Sequence, residues 1–356
     1  VKQVTNVALM NAVCVDAAPD LTKMDVYMAP PRTAKEALST SNPYRNHWAG
    51  AMVAHYQSLY AKGVFARVSK RQAVDAEVLP SMWVFVIKPD KLKARLVIVG
   101  SRAMQRPDLL KSAPTPRAAI WKMMFALAVK LGYKIFHMDL SAGFCHAKPK
   151  RQVCIRMPEG LREEDPDGYL MVIKNLFGMP EAGYDLHILV RNWMVSYGFA
   201  QHPMEPCLYM RGEDKQNDWP QVFVVCWVDD FACIMPDEFY HKFKRDFQQT
   251  FDAEDLGLLS RWMGMEMYFH QQGLYITQRR QSELIVSRAK LPTGSNIKVP
   301  MTSARLSLEM CCSSEEDKAF MRDKPYRTFV GALGYLTSHG IRYDLAFCRR
   351  NVHATR

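Results

Sequence analysis

Three aspartates carry the residue types and spacing best suited to chemistry. Asp139 lies near the end of Tyr133-Lys-Ile-Phe-His-Met-Asp-Leu140, whose alternation predicts a strand. Ninety positions later, Asp229 and Asp230 separate two apolar runs, 221–228 and 231–235, which predicts a hairpin with an acidic pair at its bend. If these strands are neighbours in one sheet, the acids converge on one edge. Hard cations such as Mg²⁺ choose such oxygen ligands and keep some of their waters. Two such ions, about 3.5–4 Å apart, can activate an attacking oxygen and stabilise a leaving one in a displacement at phosphorus. That chemistry serves polymerases and nucleases. An Asp-Asp pair at a bend is also ordinary turn chemistry. The apolar flanks favour the metal, because carboxylates at the rim of a buried sheet repel each other unless a cation or basic partner compensates them.

Other periodic segments must position these acids. From Tyr44 to Lys62, Trp48, Met52, Tyr56 and Leu59 recur at helical spacing and Gly63 supplies a stop. Met82–Lys88 and Lys91–Val99 read as a hairpin around Pro89-Asp90. In its second strand the two-residue period sets Lys91, Lys93 and Arg95 on one face and Leu92, Ala94 and Leu96 on the other. That cationic face suits either plain solvation or contact with phosphate. Thr115-Pro116 and Gly132 bracket a helix over Ala118–Leu131. A second helix over Glu181–Tyr197 turns Leu186, Leu189, Val190 and Trp193 to one side, with Gly198 as its stop. Asp237 is the expected cap of a helix whose Phe239, Phe243, Phe247 and Phe251 stand four apart. Then come a strand over Gly273–Thr277, a helix through Leu284 and another over Tyr326–Leu336. No internal repeat occurs.

The 356 residues allow roughly two domains at ~150 residues each, and 48% hydrophobic content is enough for packed cores. Disordered and collagen-like classes are excluded. Lys and Arg exceed Asp and Glu by 47 to 36, a net +11 that favours polyanionic partners, nucleic acid first. No apolar run approaches the ~20 residues of a membrane span, and no signal core follows Val1. A soluble, cytoplasmic protein with no membrane partner and no targeting signal is expected. The start without Met suggests a piece of a longer product. The nine cysteines form no CxxC pair. His137, Cys145 and His146 are close in sequence but lack the second ligand pair of a zinc site.

The boxes around the aspartates carry a family resemblance. Trp227-Val-Asp-Asp230 resembles the Tyr-Val-Asp-Asp box of copia-type retrotransposon reverse transcriptases. His137-Met-Asp-Leu-Ser-Ala-Gly-Phe144 resembles their Gln-Met-Asp-Val-Lys-Thr-Ala-Phe. Trp83-Val-Phe85, Lys93-Ala-Arg-Leu-Val97, Met157-Pro-Glu-Gly160 and Asn175-Leu-Phe-Gly178 are similar to further boxes of the family, in family order. So are Asp255-Leu-Gly257, Met263-Gly264, Thr277-Gln278, Val330-Gly-Ala-Leu-Gly-Tyr-Leu336 and Asp344-Leu-Ala346. Together they span about residues 32 to 350.

The resemblance implies an α+β, right-hand polymerase with fingers, a palm whose antiparallel sheet is backed by helices, and a reduced thumb or connection. Its expected organisation is a poorly ordered tail over 1–31, an N-terminal helix and fingers over 32–115, a palm over 116–252 and a thumb or connection over 253–300. A C-terminal helical segment follows over 301–356 and stops before any ribonuclease H domain. Asp139 and Asp229 would bind two Mg²⁺ ions, with Asp230 as third acid. Phe144 falls where the family keeps an aromatic that blocks a ribose 2′-hydroxyl. Lys93, Arg95 and Glu181 would lie near the incoming deoxynucleoside triphosphate, and Lys148, Lys150 and Arg151 near the nucleic acid. Expected partners are an RNA or DNA template with its primer, deoxynucleoside triphosphates and other parts of the same polyprotein, within the element's virus-like particle. The chain also departs from the pattern. Glu181-Ala-Gly-Tyr184 replaces Gln-Ala-Pro-Arg, so repulsion of a triphosphate is expected. Ser141 and Glu254 stand where the family has Lys, and Cys145-His-Ala147 replaces Leu-Asn-Gly. An active polymerase and an inactive relic that only binds nucleic acid are therefore both open. A two-metal nuclease fits less well, because three Asp without a further Glu or His cluster leave little to activate water.

Overall fold

The computed structural model describes residues 29–88, 91–100, 109–161, 168–212, 221–270, 273–289, 314–322 and 324–339. Contacts divide the chain into two compact units. One holds the chain up to Arg117 together with Phe136–Leu256, and the other holds Ala118–Ile135 with the residues from Gly257 onward.

In the first unit the Thr33 side chain accepts a hydrogen bond from Glu36 N and opens the short α1 (Ala34–Ala37). Helix α2 (Arg45–Ala61) follows and buries Trp48, Met52, Tyr56 and Leu59, as their spacing predicts. Strands β1 (Phe65–Val68) and β2 (Glu77–Leu79) precede the hairpin of β3 (Ser81–Ile87) and β4 (Leu92–Ile98). In β4 burial alternates, with Leu92, Ala94, Leu96 and Ile98 inside and Lys93 and Arg95 half-exposed on the opposite face. The Pro89-Asp90 turn lies outside the described residues. The hairpin leaves through a tight crossing. Ile98 N donates to Phe177 O at 2.8 Å, and a Cβ on Gly178, at φ +89°, would stand 1.9 Å from Ile98 O. Only glycine fits there.

Helix α3 (Ala118–Leu131) matches its predicted span, and Gly132 ends it at φ +68°. After β5 (Lys134–Leu140) and a 3₁₀ turn over Gly143–His146 come β6 (Val153–Arg156), β7 (Tyr169–Val172) and α4 (Ala182–Ser196). Then follow β8 (Ala200–His202), β9 (Glu205–Arg211), β10 (Val222–Trp227), β11 (Asp230–Met235), α5 (Asp237–Thr250) and β12 (Ala253–Leu258). One sheet runs β1-β7-β6-β2, and a six-stranded sheet runs β12-β5-β11-β10-β9-β8. Helices α4 and α5 back the second sheet. Leu186, Val190 and Met194 of α4 and Phe239, Phe243 and Phe247 of α5 share one buried cluster with Phe231 and Val224. Each fully buried aromatic of this kind contributes about 1.5–3 kcal/mol.

Two expectations need correction here. Asp237 is the first residue of α5, not its cap; Pro236 takes the cap position with no side-chain bond, leaving Asp237 to favour the helix dipole. The hairpin turn is Val228-Asp229, not Asp229-Asp230, because Asp230 already pairs with Trp227 across the strands.

The second unit contains β13 (Arg261–Trp262), β14 (Met265–His270) and β15 (Gly273–Thr277), a three-stranded antiparallel sheet. Helix α6 (Arg279–Ala289) runs five residues past the expected Leu284, α7 (Glu315–Arg322) falls inside the expected C-terminal helical segment, and α8 (Tyr326–His339) outlasts Leu336. Three of the sequence boxes meet in this unit. The Tyr335 hydroxyl donates to Met263 O, beside Gly264 at φ +81°, and Gln278 Nε2 donates to Tyr335 O at 3.4 Å. The expected tail up to residue 28 and the Asp344 box lie outside the described residues. The described residues bear out the α+β class.

Candidate active site

Strand β5 neighbours β11, and at its end Leu140 N donates to Asp229 O at 2.8 Å. That bond brings Asp139 beside the Val228-Asp229 turn. One carboxylate oxygen from each of Asp139, Asp229 and Asp230 lies within 4.8 Å of the others, the only such metal-sized group among the described residues. The backbone around them is forced. Val228 has φ +58° and Ala142 φ +55°, conformations that cost a non-glycine residue about 1–3 kcal/mol each and are especially unusual for a β-branched one. A Cβ on Gly143 would stand 2.9 Å from Asp229 Cβ, so its hydrogen admits the aspartate.

The triad is electrostatically unsettled. Burial, then the charges of Asp229 and Asp230, push Asp139 up to about 6; exposed Glu254 adds to this and His137 opposes it. Burial and Asp230 also raise Asp229, against its own backbone hydrogen bond and Arg95. All donors are hard carboxylate oxygens crowded together, a set that fits Mg²⁺. The cluster has one further member that its spacing in the sequence does not single out. His137 Nε2 lies 2.9 Å from Asp230 Oδ1, ninety-three positions away, and only the two-residue period of β5 pairs His137 with Asp139 on one face.

The cations of β4 face the same acids. Asp139 acts on Lys93 and Arg95 acts on Asp229, while burial and Arg95 lower Lys93. The Arg95 guanidinium lies 5.3 Å from the Phe177 ring centre, and half-buried Phe144 meets Phe177 edge-on at 5.0 Å. Phe144, Phe177 and Arg95 thus form a continuous wall beside the triad.

Glu181 and Arg151 have a different setting. Glu181 is 4% exposed, and Arg151 Nε donates to its Oε1 at 2.8 Å while Arg151 Nη1 donates to Glu77. The repulsion expected from Glu181 is therefore answered inside the protein. Both residues line a cavity of about 180 Å³ with Leu109, Lys150, Tyr184 and Asp185. Lys148 is exposed, and Lys150, 73% exposed, reaches Asp185 at 3.9 Å and the Tyr184 ring at 5.5 Å. The pair of Glu181 and Arg151 was also invisible in the sequence, which gives no signal linking residues thirty positions apart on different elements. His146 packs on Phe251 at 5.7 Å, and Cys145 is buried, its thiol pushed up to about 11.

Asp229 in a hairpin turn, Asp230 at the start of the strand that follows it and Asp139 on the adjoining strand form one carboxylate cluster. The family described as "Reverse transcriptase (RNA-dependent DNA polymerase)" matches residues 64–303, and the chain belongs to it. The copia-type resemblance is borne out. The chain is similar to the retrovirus-related Pol polyprotein of transposon TNT 1-94 from Nicotiana tabacum, 25% identical over 86% of this chain and 23% of that protein. It is also similar to the Pol polyprotein of transposon RE1 from Arabidopsis thaliana, 24% identical over 86% and 20%, and to the Ty1-ER2 Gag-Pol polyprotein of Saccharomyces cerevisiae, 23% identical over 79% and 16%. It spans less than a quarter of the length of these curated relatives. Among solved structures, a foamy viral protease-reverse transcriptase in complex with ds DNA is 12% identical over 81% of this chain and 40% of that chain, with a TM-score of 0.42.

Proposed function

We propose that this domain is a Mg²⁺-dependent RNA-directed DNA polymerase. It joins the 3′-oxygen of a primer to the α-phosphorus of a deoxynucleoside triphosphate on an RNA or DNA template, and pyrophosphate leaves. The observation that carries this reading is the convergence of Asp139, Asp229 and Asp230 within 4.8 Å. Asp139 and Asp229 hold two Mg²⁺ ions and Asp230 is the third acid. When bound there, the ions would supply charge stabilisation to the attacking and leaving oxygens. Lys93 and Arg95 receive the triphosphate, as charge-assisted donors do. Phe144, braced by Phe177, screens the ribose 2′-position. Exposed Lys148 and Lys150 follow the nucleic acid backbone, and Arg151 acts behind them by holding Glu181 in the cavity wall. In this reading the β3–β4 hairpin belongs to the fingers, the six-stranded sheet to the palm and the β13–β15 sheet to the thumb or connection. Most of the rate enhancement comes from positioning and charge.

Asp229→Asn is expected to abolish primer extension on a poly-rA template with Mg²⁺, with unchanged circular dichroism. Extension at the wild-type rate overturns the reading.

The alternative is a relic that binds nucleic acid without turnover, favoured by the charge around Asp139, where Glu254 adds to the acidity and Ser141 offers no cation. Salt-dependent template-primer binding that does not tighten with deoxynucleoside triphosphate and Mg²⁺ would support it. Robust extension would refute it.

A further inference from the structure

We propose that His137 is a positioning residue that holds the Asp230 carboxylate in the triad and so sets the cation affinity of the site. His137 stands two residues before Asp139, on the same face of β5, and β5 lies beside β11, which begins at Asp230. Its Nε2 is 2.9 Å from Asp230 Oδ1, with the two side chains 12% and 27% exposed. In the tautomer that carries its hydrogen on Nε2, the ring donates to the carboxylate oxygen.

That bond has a specific task. Asp230 lies at the start of a strand with two like charges within 4.8 Å, and repulsion drives it toward solvent. Asp229 is tied through its main chain to Leu140, but the Asp230 side chain is held by the imidazole. A half-buried ring with two rotatable bonds holds an acceptor at little entropic cost. Groups that orient metal ligands in this way typically change metal affinity by about 10–100-fold when removed. Where this chain has His137, the resembling box has Gln, whose terminal amide nitrogen is as many bonds from Cα and also donates. The donor, not the ring, is the feature required.

The test uses the full chain and Tb³⁺ as the probe ion, read by luminescence sensitised through Trp227 and by Mg²⁺ competition. His137→Phe, which keeps a ring and loses the donor, is expected to weaken Tb³⁺ and Mg²⁺ binding about 10-fold, and His137→Gln to stay within about 2-fold of wild type. Melting curves identify variants that do not fold; if His137→Phe is one, His137→Leu against His137→Gln makes the same comparison. Equal affinities for donor and non-donor variants overturn the proposal, as does a wild-type chain that binds neither ion.

The inference rests on the carboxylate site of the polymerase reading, but the two fail separately. Cation binding that follows the donor, without primer extension, sinks the polymerase and leaves His137 in its role. Primer extension whose Mg²⁺ requirement ignores the donor does the reverse.

Discussion

Two acidic clusters lie in the first unit, one around buried Glu181 and one around half-buried Asp139, and they are balanced in opposite ways. Around Glu181 the protein supplies its own cation: Arg151 bonds Glu181 and Glu77 together. Around Asp139 the cations stop short. Lys93 and Arg95 act on the acids only through space, His137 shares one hydrogen bond with Asp230, and Asp139 stays pushed up to about 6. Completed charge pairs make a wall, whereas an uncompleted one makes a binding site, because the missing charge must come from outside. The replacement of a neutral amide by Glu181 therefore counts less against catalysis than its charge alone suggests.

The largest expected effect tests the closed cluster. Arg151→Ala leaves Glu181 buried without its partner and is expected to destabilise the fold by about 3–5 kcal/mol in urea unfolding, with much of the loss recovered in Arg151→Ala/Glu181→Gln. A loss under about 1 kcal/mol would erase the contrast between the clusters. The open cluster makes a pH-dependent prediction. Because Asp139 is raised from 3.8 to about 6 in the fold, its contribution to stability is present below about pH 4 and is lost as pH rises through about 6. In Mg²⁺-free buffer, Asp139→Asn should raise the Tm at pH 8 and leave it near wild type at pH 4. An equal gain at both pH values would show that the acid is not strained. The smallest effect separates Lys150 from Arg151. With its side chain 73% exposed and 3.9 Å from Asp185, Lys150→Ala should change stability by less than about 0.5 kcal/mol, yet lower the salt slope of template-primer binding by about 1.

What the sequence discloses and what it hides divide along physical lines. Helix α2, the β3–β4 hairpin, α3 and β5 follow from periodicity and stop signals, since one buried face and a glycine act locally. The acids were legible because apolar strand surrounds them. The Asp237 cap misled because Pro236, with its fixed φ, fits the extended cap geometry. Helix α7 lies inside the expected C-terminal helical segment, but its eight residues, none of them buried, are too few for periodicity to set its ends. The partners of His137 and Glu181 could not be read, because they are set by which strands and helices become neighbours.

The bond from Leu140 N to Asp229 O, and the pairing of Trp227 with Asp230, are made by main-chain atoms. Exchange of almost any side chain nearby leaves those groups in place. The main-chain frame of the triad is therefore independent of the side chains at Ser141 and Glu254, which can change without moving the backbone that carries the three aspartates.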